Sequence, residues 1–203
     1  VWSDTSTSED ISNLDHGLYG LTIVDALLCE QQAEALVRVH SSQQFSIPDQ
    51  WSMFSFNIEH YEPAVDSVLQ AIIVNVQIVK NENGNVYWPI FNLNVIGDFQ
   101  NGEGYQIKCD TVVSLTSVGF YLFPEEENII LPSGWSLFAY LRTSNISVET
   151  GMDNVVSNII LMKNGNGQVF WPLYNLNGIP AMIPGQGYQV RMNLTDTLVY
   201  PGN

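Results

Sequence analysis

Hydrophobic and polar positions follow the same schedule twice along this chain, once after Trp51 and again after Trp135. Each schedule opens on alternating apolar and polar residues, the period-two signature of a half-buried strand. The period then lengthens: in "EPAVDSVLQAI" (62–72), Ala64, Val65, Val68, Leu69 and Ile72 stand at helical spacing, with Pro63 suited to a first turn. In the counterpart (147–159) Val148, Met152, Val155, Val156 and Ile159 share one side, and Gly151 weakens the helix. Two strands follow, joined by Asn83-Gly84 or Asn166-Gly167, a strong hairpin signal because both central positions of the tight turn want φ > 0. A Gly-x-Gly-Tyr strand closes each unit. The pattern predicts β-α-β-β-β in each copy, over about 70–80 residues, near the lower limit for a self-sufficient core.

The correspondence reaches individual residues. "VQIVKNENGNVYWP" (76–89) returns as "IILMKNGNGQVFWP" (159–172), and "GEGYQIK" (102–108) as "GQGYQVR" (185–191). Trp51 and Trp135 are 84 positions apart and Trp88 and Trp171 are 83 apart, so one residue has been lost between them. The chain therefore reads as mainly β, α+β within each repeat, in three parts: a partial immunoglobulin-like β segment (1–45), a first module (46–124) and a second (125–203). Within the first part, short apolar runs predict three strands separated by turns. Leu14-Asp15-His16-Gly17-Leu18-Tyr19 has the form of a tyrosine corner, in which a Tyr at a strand start bonds back to the preceding loop of a β-sandwich.

Here the residues meet known families. Trp2-Ser3, Ile11-Ser12-Asn13-Leu14, Gly17-x-Tyr19, Leu21-Thr22-Ile23-Val24-Asp25 and Cys29 together resemble the C-terminal half of the SprB-type gliding-adhesin repeat, which occurs in tandem in large surface proteins of Bacteroidota. In that family the Cys after this strand commonly pairs with one in the first half of the domain, so the resemblance implies that the partner of Cys29 lies outside this sequence. Residues 47 to about 200 resemble modules near the C-termini of long secreted or surface proteins of marine Bacteroidota. Their shared marks are Gly-Trp-Ser/Asn, Ile-Val-Lys-Asp/Asn-x-x-Gly and Gly-x-Gly-Tyr-Gln-Ile-Lys, as from Gly134, Ile78 and Gly102 here. That likeness implies an extracellular or cell-surface setting and no particular reaction.

Composition narrows the setting further. With 45% apolar and 13% charged residues the chain has the makings of a folded core. Six basic residues against 21 acidic ones give a net charge of −15, which repels phosphate backbones and anionic lipid, so nucleic acid is not an expected partner. No run approaches the roughly 20 apolar residues that cross a bilayer, so direct membrane insertion is not expected either. The opening "VWSDTSTSED" reads as part of a longer or processed chain. Two cysteines, Cys29 and Cys109, are too few for a disulfide framework and leave pairing or free thiols equally open.

Chemistry is sparser. Tyr87, Trp88 and Phe91, with their copies Phe170, Trp171 and Tyr174, offer aromatic faces for stacking on sugars, and Asn92, Asn94, Asn175 and Asn177 offer amides to hydroxyl groups. The competing reading is structural: strand alternation turns one of each adjacent aromatic pair inward, and the Asn residues hold turns. "NENGN" and "NGNG" lack the Asp-x-Asp of a calcium loop, and Glu125, Glu126 and Glu127 read as a solvated turn, so no metal or cofactor is expected. His16, His40 and His60 fall in unrelated contexts, and no nucleophile elbow, zinc motif or Walker loop is present. "GEGYQ" and "GQGYQ" read as turn glycines rather than a nucleotide loop. Lys80 and Lys163, and Lys108 and Arg191, occupy duplicated positions that suit either ion pairs within a module or recognition of an anionic glycan. These features favour a non-enzymatic extracellular adhesion or display element. A carbohydrate-binding module is one alternative and a virus-associated fibre or capsid decoration another. The compatible partners are a surface glycan, a protein receptor, further copies, or the rest of a longer chain.

Overall fold

Strand pairing divides the chain near residue 40. The computed structural model describes residues 1–203, and the protein is mainly β, with 46% of its residues in strands and 13% in helices. By contacts it separates into Val1–His40 and Ser41–Asn203, the second unit holding both copies of the repeat.

In the first unit, β1 (Gly17–Val24) and β2 (Glu30–Val37) pair antiparallel without a break from Gly17↔Val37 to Val24↔Glu30. Asp25 shapes the turn: its Oδ1 accepts the N–H groups of Leu27 and Cys29 at 2.7 and 2.9 Å. The Tyr19 hydroxyl donates to the Asp15 carbonyl at 3.3 Å, the contact expected of a tyrosine corner. Of the three strands expected in this segment two form, joined as this hairpin, and Trp2 bridges to the other edge of β1 at Leu21. A hairpin alone cannot cover its apolar side, and Leu18, Val24 and Leu36, on one side of it, stay exposed.

The first copy runs β3 (His40–Ile47), β4 (Trp51–Ser55), β5 (Ile58–His60), α1 (Val65–Val68), β6 (Val76–Lys80), β7 (Val86–Trp88), β8 (Leu93–Asn94), β9 (Gly104–Cys109) and β10 (Val113–Tyr121). The second runs β11 (Ile129–Leu131), β12 (Gly134–Ala139), α2 (Val148–Gly151), β13 (Ile159–Lys163), β14 (Val169–Trp171), β15 (Leu176–Asn177), β16 (Gly187–Met192) and β17 (Asp196–Leu198). Their five-stranded sheets have the same order, β4-β9-β6-β7-β8 and β12-β16-β13-β14-β15, with an irregularity at the same place, Val76/Ile78 and Ile159/Leu161. The cores match residue for residue: Ile47, Phe54, Val65, Tyr87, Tyr105 and Leu115 have the equivalents Leu131, Phe138, Val148, Phe170, Tyr188 and Leu198, all buried.

Two local expectations change. Each predicted helix is one α-turn that tightens into a 3₁₀ turn, Gln70–Asn75 or Asp153–Asn158. Ile72, Ile73 and Val74 crowd χ1 in a helix, and the chain must enter β6 directly afterwards. Gly151, a weak helix former, is there for room: a Cβ would come within 2.8 Å of Met182 Sδ. The hairpin is also not the two-residue form. Gly84 N–H donates to Asn81 O at 3.2 Å and Gly84 alone is left-handed (φ 78°), a three-residue loop of turn plus glycine bulge, repeated at Gly167 (φ 76°). Asn81 Oδ1 accepts the N–H groups of Asn83 and Asn85, and Asn164 does the same for Asn166 and Gln168.

The Gly-x-Gly motif explains the duplication. Gly102 (φ 79°) and Gly185 (φ 86°) make the turn that a side chain would strain. Gly104 and Gly187 serve a different end: a Cβ on either would lie 2.7 Å from a carbonyl oxygen of the other copy, that of Phe138 or Phe54. The copies bond reciprocally at this seam, with Ser55 N–H donating to Gly185 O (3.1 Å) and Ala139 N–H donating to Gly102 O (2.9 Å). Residue pairs Phe54/Gln186 and Phe138/Glu103 bridge the two sheets in the same exchange. The repeated glycines thus join building blocks.

Candidate functional site

Alternation along β7 and β14 sorts the aromatic cluster. Tyr87 and Phe170 point inward and are each 5% exposed, so these two of the ten candidate ligand residues belong to the core. Trp88 and Trp171 face out. Pro89 and Pro172 then open a 3₁₀ turn, which ends at Asn92 or Asn175 in the left-handed region (both φ 50°), with the Asn N–H donating to the Pro carbonyl at 2.9 and 3.0 Å. This turn swings Phe91 onto Trp88 and Tyr174 onto Trp171, edge to face, with ring centroids 4.7 and 4.6 Å apart. Ile90 and Leu173 cap the turns at 81% and 80% exposure, far beyond what folding asks of an isoleucine or a leucine.

The asparagines divide too. Asn92 and Asn175 supply left-handed backbone and stay exposed. Asn94 Oδ1 accepts Gly97 N–H and Asn177 Oδ1 accepts Ile179 N–H, each at 2.9 Å, so both are tied into the next turn. The Asn177 amide also donates to Glu149 at 2.6 Å. The Glu149 carboxyl is held below its usual range, chiefly by its own backbone amide and also by this bond. What each copy presents outward is a shelf of Trp88, Phe91 and Ile90, or of Trp171, Tyr174 and Leu173.

A second duplicated arrangement escaped sequence reasoning. Lys80 Nζ sits 4.8 Å from the centre of the Trp51 ring, and Lys163 Nζ sits 4.9 Å from that of Trp135. Trp51 lies opposite Lys108 in β9 while Lys80 lies opposite Gln106, so the contact crosses an intervening strand on a diagonal. Repetition of Trp and Lys at fixed spacing was the available signal, but the sheet order needed to pair them was not.

His60 packs edge-on against Phe56, ring centroids 4.3 Å apart, beside a hollow of about 210 Å3 lined also by Glu62 and Ser117. Burial pulls its pKa down to about 4, leaving it neutral. Tyr105 and Tyr188 are fully buried and their pKa values are pushed up by burial. Each hydroxyl accepts a backbone N–H from its own turn, Gln100 or Ile183, at 2.8 Å. Burial, and then the Asp110 charge, push the Cys109 thiol up to about 11. Cys29 is exposed, and neither cysteine is in a disulfide. No three His, Cys, Asp or Glu side chains are grouped to hold a metal ion.

The fold defines a mainly β protein built on an internal duplication. Comparison with protein-family models, with curated proteins and with solved structures finds no match to this chain.

Proposed function

We propose that this protein is a non-enzymatic extracellular adhesion or display element, part of a bacterial surface or secreted protein of the kind its repeats resemble. One observation carries the reading: the same outward edge-to-face aromatic pair is built twice, with Phe91 or Tyr174 exposed, on the same proline turn and the same left-handed asparagine. Core packing does not account for Ile90, Phe91, Leu173 and Tyr174, which lie on the surface of both copies. Two such shelves on one chain bind a repetitive surface with avidity that neither has alone. Carbohydrate is the second reading, favoured by Trp88 and Trp171, whose rings suit sugar C–H faces.

The test is adsorption to insoluble polysaccharides and to a glycan array, comparing wild type with Trp88→Ala/Phe91→Ala, Trp171→Ala/Tyr174→Ala and the combination of all four. Because these side chains are surface groups, the thermal midpoint should move by only a few degrees. Either double variant should weaken retention about tenfold or more and the combination should abolish it. Full retention by the combined variant would sink the proposal.

A further inference from the structure

Beside the seam, the outer faces of the two sheets border a cleft of about 470 Å3. Lys80 and Lys163 both line it, together with the equivalent pair Gln106 and Gln189 and the half-exposed Trp51. No carboxylate lines it, although acids outnumber bases 21 to 6 in this chain. Two lysines raised from equivalent positions make a local positive field on an acidic molecule, which draws in and orients an anion.

The two halves of the seam differ at several points, and one of these differences indicates which anion. Glu82, in the first hairpin loop, extends its carboxylate to the second copy, where Oε2 accepts Leu137 N–H at 3.2 Å. The equivalent residue of the second hairpin is Gly165, and the atom nearest its missing Cβ is Met53 N, at 3.2 Å, the counterpart of Leu137 N. One half of the arrangement supplies its own carboxylate; the other has none, and both Met53 and Gly165 line the cleft.

We propose that this open half is a binding site for a carboxylate-bearing saccharide, an oligouronate. The ligand carboxylate takes the role that Glu82 plays across the seam, between Lys80 and Lys163. The sugar ring lies against Trp51, and the Gln106 and Gln189 amides, each donor and acceptor, meet its hydroxyls. This site is separate from the aromatic shelves and does not depend on their function.

Calorimetric titration of the full chain with tetragalacturonate tests it, with neutral maltotetraose and poly-glutamate as parallel probes. The uronate should bind, more weakly at higher salt. Lys80→Met/Lys163→Met should lose at least about tenfold in affinity while its unfolding midpoint falls by only several degrees, so that it stays folded during the titration. Gly165→Glu, which gives the second half its own carboxylate, should compete the ligand out to a similar degree. Trp88→Ala/Trp171→Ala should leave uronate affinity as it was, so failure of the shelves and failure of this cleft are told apart. The proposal is overturned by absence of uronate binding, by maltotetraose or poly-glutamate binding as tightly, or by wild-type affinity in the lysine variant. Should Gly165→Glu fail to fold, the lysine variant decides.

Discussion

The two copies share a backbone and differ in what fills it. The first packs Phe54, Phe56 and Phe99 against one another and Tyr105, with ring centroids 4.7 to 5.8 Å apart. The second has Tyr140 and Met182 where the first has Phe56 and Phe99, and adds Tyr200, whose hydroxyl donates to Ala139 O at 2.8 Å while that of Tyr140 donates to Ser144 O at 2.6 Å. Positions that only occupy volume have drifted, as cores tolerate when total volume is kept. Positions that set geometry have not: the seam glycines, the tyrosines that hold the Gly-x-Gly turns, and the tryptophan and lysine of the outer faces remain in both.

That contrast can be broken most forcefully at the seam. Gly104→Ala and Gly187→Ala each drive a methyl group to 2.7 Å from a carbonyl oxygen, and each should cost about 3 kcal/mol in urea unfolding, nearly equally. A large loss from one glycine and none from the other would mean that the two halves of the seam are not equivalent.

The next effect belongs to the first copy alone. His60 has a folded pKa of about 4 against an ordinary 6.5, so the unfolded chain binds its proton first as pH falls. Its contribution is therefore whole above pH 6.5, declines down to about pH 4 and then levels off, a loss of about 2 kcal/mol after allowing for partial solvent contact. Unfolding free energies at pH 7 and 4.5 should differ more in wild type than in His60→Leu, since Glu62 beside the same hollow is present in both. Smallest is the cation over the ring: Lys80→Met and Lys163→Met should each cost about 0.5–1 kcal/mol, with matching values sharpening the equivalence of the outer faces.

Much of this architecture was legible because short-range rules govern it. Alternation through Tyr87-Trp88 required one of the two to point inward without saying which, and the recurrence of Gly-x-Gly-Tyr marked the closing strand of both sheets. The helices shrank because spacing reports which side is apolar and not how many turns β-branched residues will bear. The outward shelf was half visible: the aromatics could be named, but their exposure depends on the left-handed Asn92 and Asn175, whose conformation follows from the proline turn before them. Which residues make the seam, and the Trp51/Lys80 contact, were hidden, since both join segments whose proximity only the folded sheets establish.

Reciprocal joining has a consequence for how such a protein could grow. An interface in which each member gives and receives the same backbone bonds closes on itself, and a third module would find both docking edges already taken. Longer relatives assembled from this unit should therefore count their modules in even numbers, with the couple, and not the single copy, as the piece that is inherited.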